Sequence, residues 1–106
     1  MEEKREYLLA LDGGTGSFRA ILFQKDGVQK AIEQIEWEHP VYDEYPGSVG
    51  FDFEKNWEII QRCIRNLIEK NNIAPEDIKG ISTDSMREGF ILYDENQKEL
   101  IGFSNI

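Results

Sequence analysis

The sequence predicts an α/β fold in which a mixed sheet, mostly of antiparallel strands, carries one helix and a helix-linked strand. Three observations carry this. Strand-like apolar patterns stand on both sides of a glycine-rich loop at residues 12–17, one amphipathic helical pattern runs over 53–71, and a short apolar run follows it at 78–83. At 106 residues the chain allows one domain at most. Surface scaling gives roughly 6,100 Å² exposed when folded, against roughly 17,800 Å² unfolded, so about two-thirds of the surface can be buried.

Tyr7-Leu8-Leu9-Ala10-Leu11 is apolar without alternation and reads as a central strand buried on both faces. Beyond the glycines, Phe18, Ala20 and Leu22 alternate with Arg19, Ile21 and Phe23, the pattern of a second strand. Asp26-Gly27 is a hairpin signal, and residues 28–37 supply a third strand, so the chain opens with three sequential antiparallel strands. Residues 39–50, with Pro46-Gly47, read as a loop. Asp52 is the expected N-cap of the helix, with Glu54 in its first turn. Phe53, Trp57, Ile60, Ile64, Leu67 and Ile68 define its expected sheet-facing stripe, and Asn71, Asn72 and Pro75 end it. After the strand at 78–83 comes a polar stretch, Asp84-Ser85-Met86-Arg87-Glu88-Gly89. A final hairpin pairs residues 90–93 with 100–103 around Asp94-Glu95-Asn96-Gln97.

Composition excludes several functions. Twenty-one acids against twelve Lys and Arg leave a net charge of −9, which opposes nucleic-acid binding because phosphates need a basic face. Eight of the acids, Glu33 to Glu58, face one lysine, Lys55, and read as a solvated surface. A single cysteine, Cys63, rules out an internal disulfide or a multi-cysteine metal site and reads as a small core residue. No apolar run reaches the ~18 residues of a membrane span, and the charged N-terminus lacks the build of a signal peptide, so a cytoplasmic protein is expected. His39 is expected at the surface, and Trp37 and Trp57 in packing roles.

The glycine loop carries the chemistry. Gly13, Gly14 and Gly16 let the backbone turn tightly and approach a ligand, so that successive amides converge on an anion. Thr15 and Ser17 add hydroxyl donors, and Arg19 adds a fixed positive charge, a set that suits a phosphate. The loop is not a Walker motif, since no Gly-Lys-Ser/Thr follows. It is not a dinucleotide fingerprint either, since Arg19 stands at the third glycine position and a strand follows. Asp12, at the end of the strand, stands where a carboxylate could hold Mg²⁺ through water. The same residues also fit a plain glycine-rich hairpin turn capped by Asp12.

Taken together, residues 11–23, Tyr45-Pro46-Gly47 through Phe51-Asp52 to Trp57, and Ile81-Ser82 to Gly89 with Tyr93-Asp94 resemble the N-terminal part of the FGGY carbohydrate kinases, members of the actin-like (ribonuclease H-like) ATPase fold. The loop Gly14-Thr15-Gly16-Ser17 and Ser85-Met86-Arg87-Glu88-Gly89 are most similar to the autoinducer-2 kinases, which phosphorylate a linear quorum-sensing precursor. The resemblance implies ATP phosphate contacts at Gly14, Thr15, Gly16 and Ser17 with Arg19 nearby, and a magnesium role for Asp12. It also implies substrate contacts at Arg87 and Glu88, with Met86 and Asp84 on the same wall. An Arg-Glu pair suits a diol, because guanidinium donates to hydroxyl oxygens and carboxylate accepts their hydrogens; read alone, it also fits a surface salt bridge.

By the same resemblance, residues 1–106 form an incomplete first domain of a longer kinase, truncated before an Asp-x-Arg stretch. The catalytic base and the C-terminal ATPase domain then lie downstream, and the chain alone is inactive. The implied acceptor is a small sugar or polyol, with the autoinducer-2 precursor first and glycerol, xylulose and other sugars as alternatives. A non-catalytic actin-like binding or assembly module is the rival from another class. The open sheet edge of such a piece favours self-association, and the parent is expected as a homo-oligomer with no nucleic-acid or membrane partner.

Overall fold

The computed structural model describes residues 5–104; the leader and continuation expectations at residues 1–4 and 105–106 lie outside them. Strands β1 (Tyr7–Gly13), β2 (Ser17–Gln24) and β3 (Gln29–Glu36) form the expected antiparallel meander. Leu9 lies opposite Leu22, Leu11 opposite Ala20 and Gly13 opposite Phe18. Asp26 shapes the second turn by accepting from the Val28 amide at 3.1 Å, and Gly27 takes the left-handed φ of +93° that this turn requires.

Helix α1 (Phe53–Lys70) starts where the carboxylate of Asp52 accepts the Lys55 amide at 3.1 Å, satisfying one of the free N–H groups of the first turn. Its buried stripe is Asn56, Ile59, Cys63 and Leu67, with Ile60, Ile64 and Ile68 on the flank. The helix is therefore turned by about a quarter of a revolution from the orientation its apolar pattern predicts. Trp57, expected in the core, is 49% exposed. Small side chains explain the shift. Cys63 lets the helix settle close to β2 and β3, near enough for its thiol to reach the Glu33 carbonyl at 3.2 Å. Burial there holds the Cys63 thiol above its ordinary titration range, as expected of a core residue.

After a short 3₁₀ turn (Pro75–Asp77), β4 (Ile78–Ser85) joins β1 in parallel, giving the sheet order β3-β2-β1-β4. It is two residues longer than the predicted strand, because Asp84 and Ser85 continue the ladder opposite Asp12 and Gly13 although their polarity reads as loop. A separate hairpin, β5 (Phe90–Tyr93) and β6 (Glu99–Phe103), is held to the long loop by Phe51 N–H to the Gly102 carbonyl at 2.8 Å and Ser104 N–H to the Val49 carbonyl at 2.8 Å.

The core lies between α1 and one face of the sheet, around Tyr7, Leu9, Phe18, Ala20, Leu22 and Trp37. The opposite face is not covered among the described residues, so β1 is buried on one side only and Leu8 is 47% exposed. On the helix side, cover stops short of β4, leaving Ile81 64% exposed. The chain accordingly exposes 7712 Å², about a quarter more than a compact domain of its mass. Among the described residues no helix is long and apolar enough to cross a membrane.

Candidate functional site

Strands β1 and β4 run in parallel, so their carboxyl ends lie side by side, the place where open sheets with helical crossovers present ligand-binding residues. The glycine loop leaves β1 at this end, and residues 86–89 leave β4 there. The Met86 amide donates to the Gly13 carbonyl at 2.9 Å and ties the two segments together. Sequence neighbours of the loop and of the Arg-Glu pair, separated by most of the chain, are thereby brought into one site.

Strand pairing extends to Gly13 and resumes at Ser17, so the turn itself is Gly14-Thr15-Gly16. A Cβ at Gly14 would stand 3.2 Å from the Ser17 carbonyl, tighter than side chains normally accept, whereas a Cβ at Gly16 would meet nothing within 4 Å. The space beside Gly16 is open, as approach of a ligand to the backbone requires. Gln34 donates to the Ser17 hydroxyl at 2.8 Å, leaving that hydroxyl its own hydrogen to donate. Behind the loop, Trp37 Nε1 donates to the Gly14 and Thr15 carbonyls at 3.0 and 3.2 Å, and His39 Nε2 lies 2.6 Å from the Thr15 carbonyl. His39, expected at the surface, is half-buried, its ring stacked on Phe51 at 5.7 Å. Its position before Pro40 in a loop offered no periodicity from which this could be read.

Asp12 and Arg19 are paired residues of β1 and β2, and the guanidinium grips the carboxylate through Nε at 2.9 Å and through Nη2. Arg19 is therefore committed to Asp12 as well as lying beside the loop. On the other flank, the register of β1 and β4 places Asp84 next to Asp12. The two carboxyls titrate apart. A hydrogen bond from Asp84, then the Arg19 guanidinium, holds Asp12 below the usual carboxylate range, while the hydrogen bond to Asp12, with some burial and the Asp12 charge, raises Asp84. Sequence reasoning placed Asp84 on the substrate wall; only the parallel pairing reveals it as the neighbour of Asp12.

The sign of the pH effect follows. Folding favours the protonated form of Asp84, so its contribution to stability falls as pH rises from the ordinary carboxylate range through its raised value. Asp12 acts oppositely, and its contribution is lost as pH falls through its lowered value. Asp84→Asn keeps a hydrogen-bond donor for Asp12 but removes the upper titration, so the variant should gain on the wild type as pH rises from 4 to 7. Urea midpoints across that range check this, and a pH-independent difference between the two proteins would refute the coupling.

Met86, Asp84, Ser85 and Gly89 line an apolar cavity of about 460 Å³ between the helix-side face of the sheet and the β5–β6 hairpin, with Leu11, Phe18, Trp37, Trp57, Phe90 and Tyr93 among its other walls. Arg87 and Glu88 are exposed and lie outside this lining, so the structure separates Met86 from the charged pair. Neither Arg87 nor Glu88 makes a hydrogen bond or ion pair among the described residues, and the surface salt bridge that also fits the sequence does not form. No group of three or more His, Cys, Asp or Glu residues suited to a metal occurs among the described residues; Asp12 and Asp84 form a pair.

Comparison with known proteins places these features. Residues 7–103 match the N-terminal domain of the FGGY family of carbohydrate kinases. An autoinducer-2 kinase of Salmonella paratyphi A is 42% identical over 104 residues, 98% of this chain and 20% of that protein. An autoinducer-2 kinase of Klebsiella pneumoniae is 43% identical over 100 residues, 94% of this chain and 19% of that protein. The chain thus spans about a fifth of the length of these curated relatives. Among solved structures, the xylulose kinase of Rhodospirillum rubrum superposes with a TM-score of 0.76 at 20% identity, covering 93% of this chain and 20% of that one. The expected fold, the strand-rich N-terminal part of an actin-like ATPase, is the one observed.

Proposed function

Because this chain belongs to the FGGY family of carbohydrate kinases, we propose that residues 1–106 form the N-terminal part of the first domain of an ATP-dependent kinase acting on the autoinducer-2 precursor. The observation that carries this reading is the junction at the carboxyl ends of β1 and β4, where the glycine loop and Asp12 meet Asp84 and Met86, from which the chain continues into Arg87 and Glu88. The similarity of nearly the whole chain to autoinducer-2 kinases supports the choice of acceptor.

In this reading Gly14, Thr15, Gly16 and Ser17 receive the phosphates of ATP, with Arg19 orienting Asp12 beside them. Asp12 suits Mg²⁺, because an oxygen ligand held in its ionised form is what a hard cation requires. Bound there, Mg²⁺ would supply neutralisation of the charge on the polyphosphate. Arg87 and Glu88, free of protein partners among the described residues, orient the acceptor hydroxyls by donating to and accepting from them, and Met86 contributes an apolar wall. None of the other aspartates matches the base that the family resemblance implies, which lies further along the chain of a full-length kinase. The base and the rest of the nucleotide cleft belong to the longer parent, and the isolated chain is inactive. Kinase activity, a cytoplasmic site of action and a homo-oligomeric state are assigned in this reading to the parent.

The Arg-Glu pair also suits glycerol, so the choice of acceptor is tested directly. ATP turnover by the full-length parent should be fastest with the autoinducer-2 precursor and slower with glycerol and xylulose. Turnover of glycerol without turnover of the precursor would move the protein to another branch of the family, and phosphorylation of none would favour a non-catalytic actin-like module.

A further inference from the structure

Glycine on either side of Thr15 creates a problem as well as an opportunity. A peptide unit flanked by glycines can flip at little steric cost, and one flip would turn a carbonyl, not an amide, toward an approaching anion. Something outside the loop has to set the direction of its peptide planes.

Three consecutive carbonyls are tied back to a single segment. The Gly14 and Thr15 carbonyls accept from Trp37 Nε1, the Thr15 carbonyl also from His39, and the Gly16 carbonyl accepts from the Trp37 backbone amide at 3.2 Å. Because a carbonyl only accepts, the His39 bond requires the proton on Nε2. In a planar trans peptide the N–H points opposite to the preceding C=O. Drawing the Gly14 and Thr15 carbonyls toward the Trp37 indole and His39 therefore turns the amides of Thr15 and Gly16 away from them, while the Gly16 carbonyl, bonded to the Trp37 backbone amide, extends the β2–β3 ladder in the plane of the sheet and anchors the end of the loop. Trp37 packs on Phe18, and Arg19 and Asp12 alternate with Phe18 and its partner Gly13, so the amides turn toward the side that carries Asp12 and Arg19.

The tie-back is rigid. Trp37 is 6% exposed, with its ring 5.8 Å from Phe18 and edge-on to Phe51 at 5.5 Å, and His39 stacks on Phe51. We propose that Trp37 and His39 are positioning residues that hold the glycine loop with its amides outward, making it receptive to a polyphosphate. The proposal rests on the kinase reading of the loop and extends it to two residues that touch neither phosphate nor acceptor.

The experiment uses the isotopically labelled chain, titrated with tripolyphosphate and Mg²⁺ while the amide resonances of residues 14–17 are followed. Wild type should show saturable shifts of these amides in the millimolar range. Trp37→Phe keeps an aromatic ring but removes the indole donor, and should bind roughly five- to tenfold more weakly, the size expected for one lost hydrogen bond. His39→Phe should weaken binding several-fold, and His39→Gln, which restores a side-chain N–H, should recover most of it; a purely packing role predicts the reverse order. Equal affinity in wild type, Trp37→Phe and His39→Phe overturns the proposal and leaves the kinase reading intact. Absence of any loop shift in wild type overturns the phosphate reading of the loop, and the proposal with it. Should Trp37→Phe lose the dispersed spectrum of a folded chain, the two His39 variants decide alone.

Discussion

Leu67→Ala is expected to cost about 3 kcal/mol and to lower the melting temperature by roughly 12 to 24 °C, the larger of the two effects considered on the fold. Leu67 is fully buried near the end of the α1 stripe and sits in the core cluster with Leu22 and Cys63. A domain of this size typically has about 5 to 15 kcal/mol in hand, and one with open faces on its sheet belongs toward the lower end. Trp57→Ala is the informative control. Had the apolar pattern set the helix orientation, removing a core tryptophan would cost about 3 to 5 kcal/mol; with the ring 49% exposed, the expected loss is well below that of Leu67. Urea unfolding followed by circular dichroism measures both, and a Trp57 variant less stable than the Leu67 variant would contradict the observed rotation of the helix.

Arg87→Ala in the full-length parent is expected to lower kcat/KM about a hundredfold, mainly through KM, with an unchanged melting temperature. Because Arg87 is exposed and has no partner among the described residues, its removal takes nothing from the fold. A charge-assisted hydrogen bond to a substrate hydroxyl contributes about 1.5 to 3 kcal/mol, equivalent to one to two orders of magnitude in affinity. Steady-state kinetics with the autoinducer-2 precursor provides the measurement. Unchanged constants would leave Arg87 as an ordinary surface charge.

The parts of this molecule legible in its sequence are those whose cause is local. The β1–β2–β3 meander follows from alternation and the Asp26-Gly27 turn, α1 from its cap at Asp52, and the β5–β6 hairpin from two short apolar runs around Asp94. Helix orientation was less legible. Phe53, Trp57 and Ile60 widen the apolar arc beyond what the sheet can cover, and Asn56, whose amide is fully buried without a hydrogen-bond partner among the described residues, reads as polar surface. At the site, the glycine loop and the Arg-Glu pair stand out as motifs. The pairing of Asp12 with Asp84 does not, because it depends on the register between strands far apart in sequence. Trp37 and His39 read as packing and surface residues, and only the three-dimensional path of the loop shows their N–H groups meeting its carbonyls.

The parallel pairing of β1 with β4 also governs when the site comes into being. The glycine loop belongs to a hairpin between adjacent strands and can form quickly, whereas Leu11 meets Thr83 only after some seventy intervening residues have been arranged. On loop-closure grounds the contacts of Asp84 and Met86 with the loop are therefore expected to form after the hairpin itself. Until β4 pairs with β1, the loop stands without Asp84 and Met86 beside it, so assembly of the junction depends on the most distant pairing in the sheet.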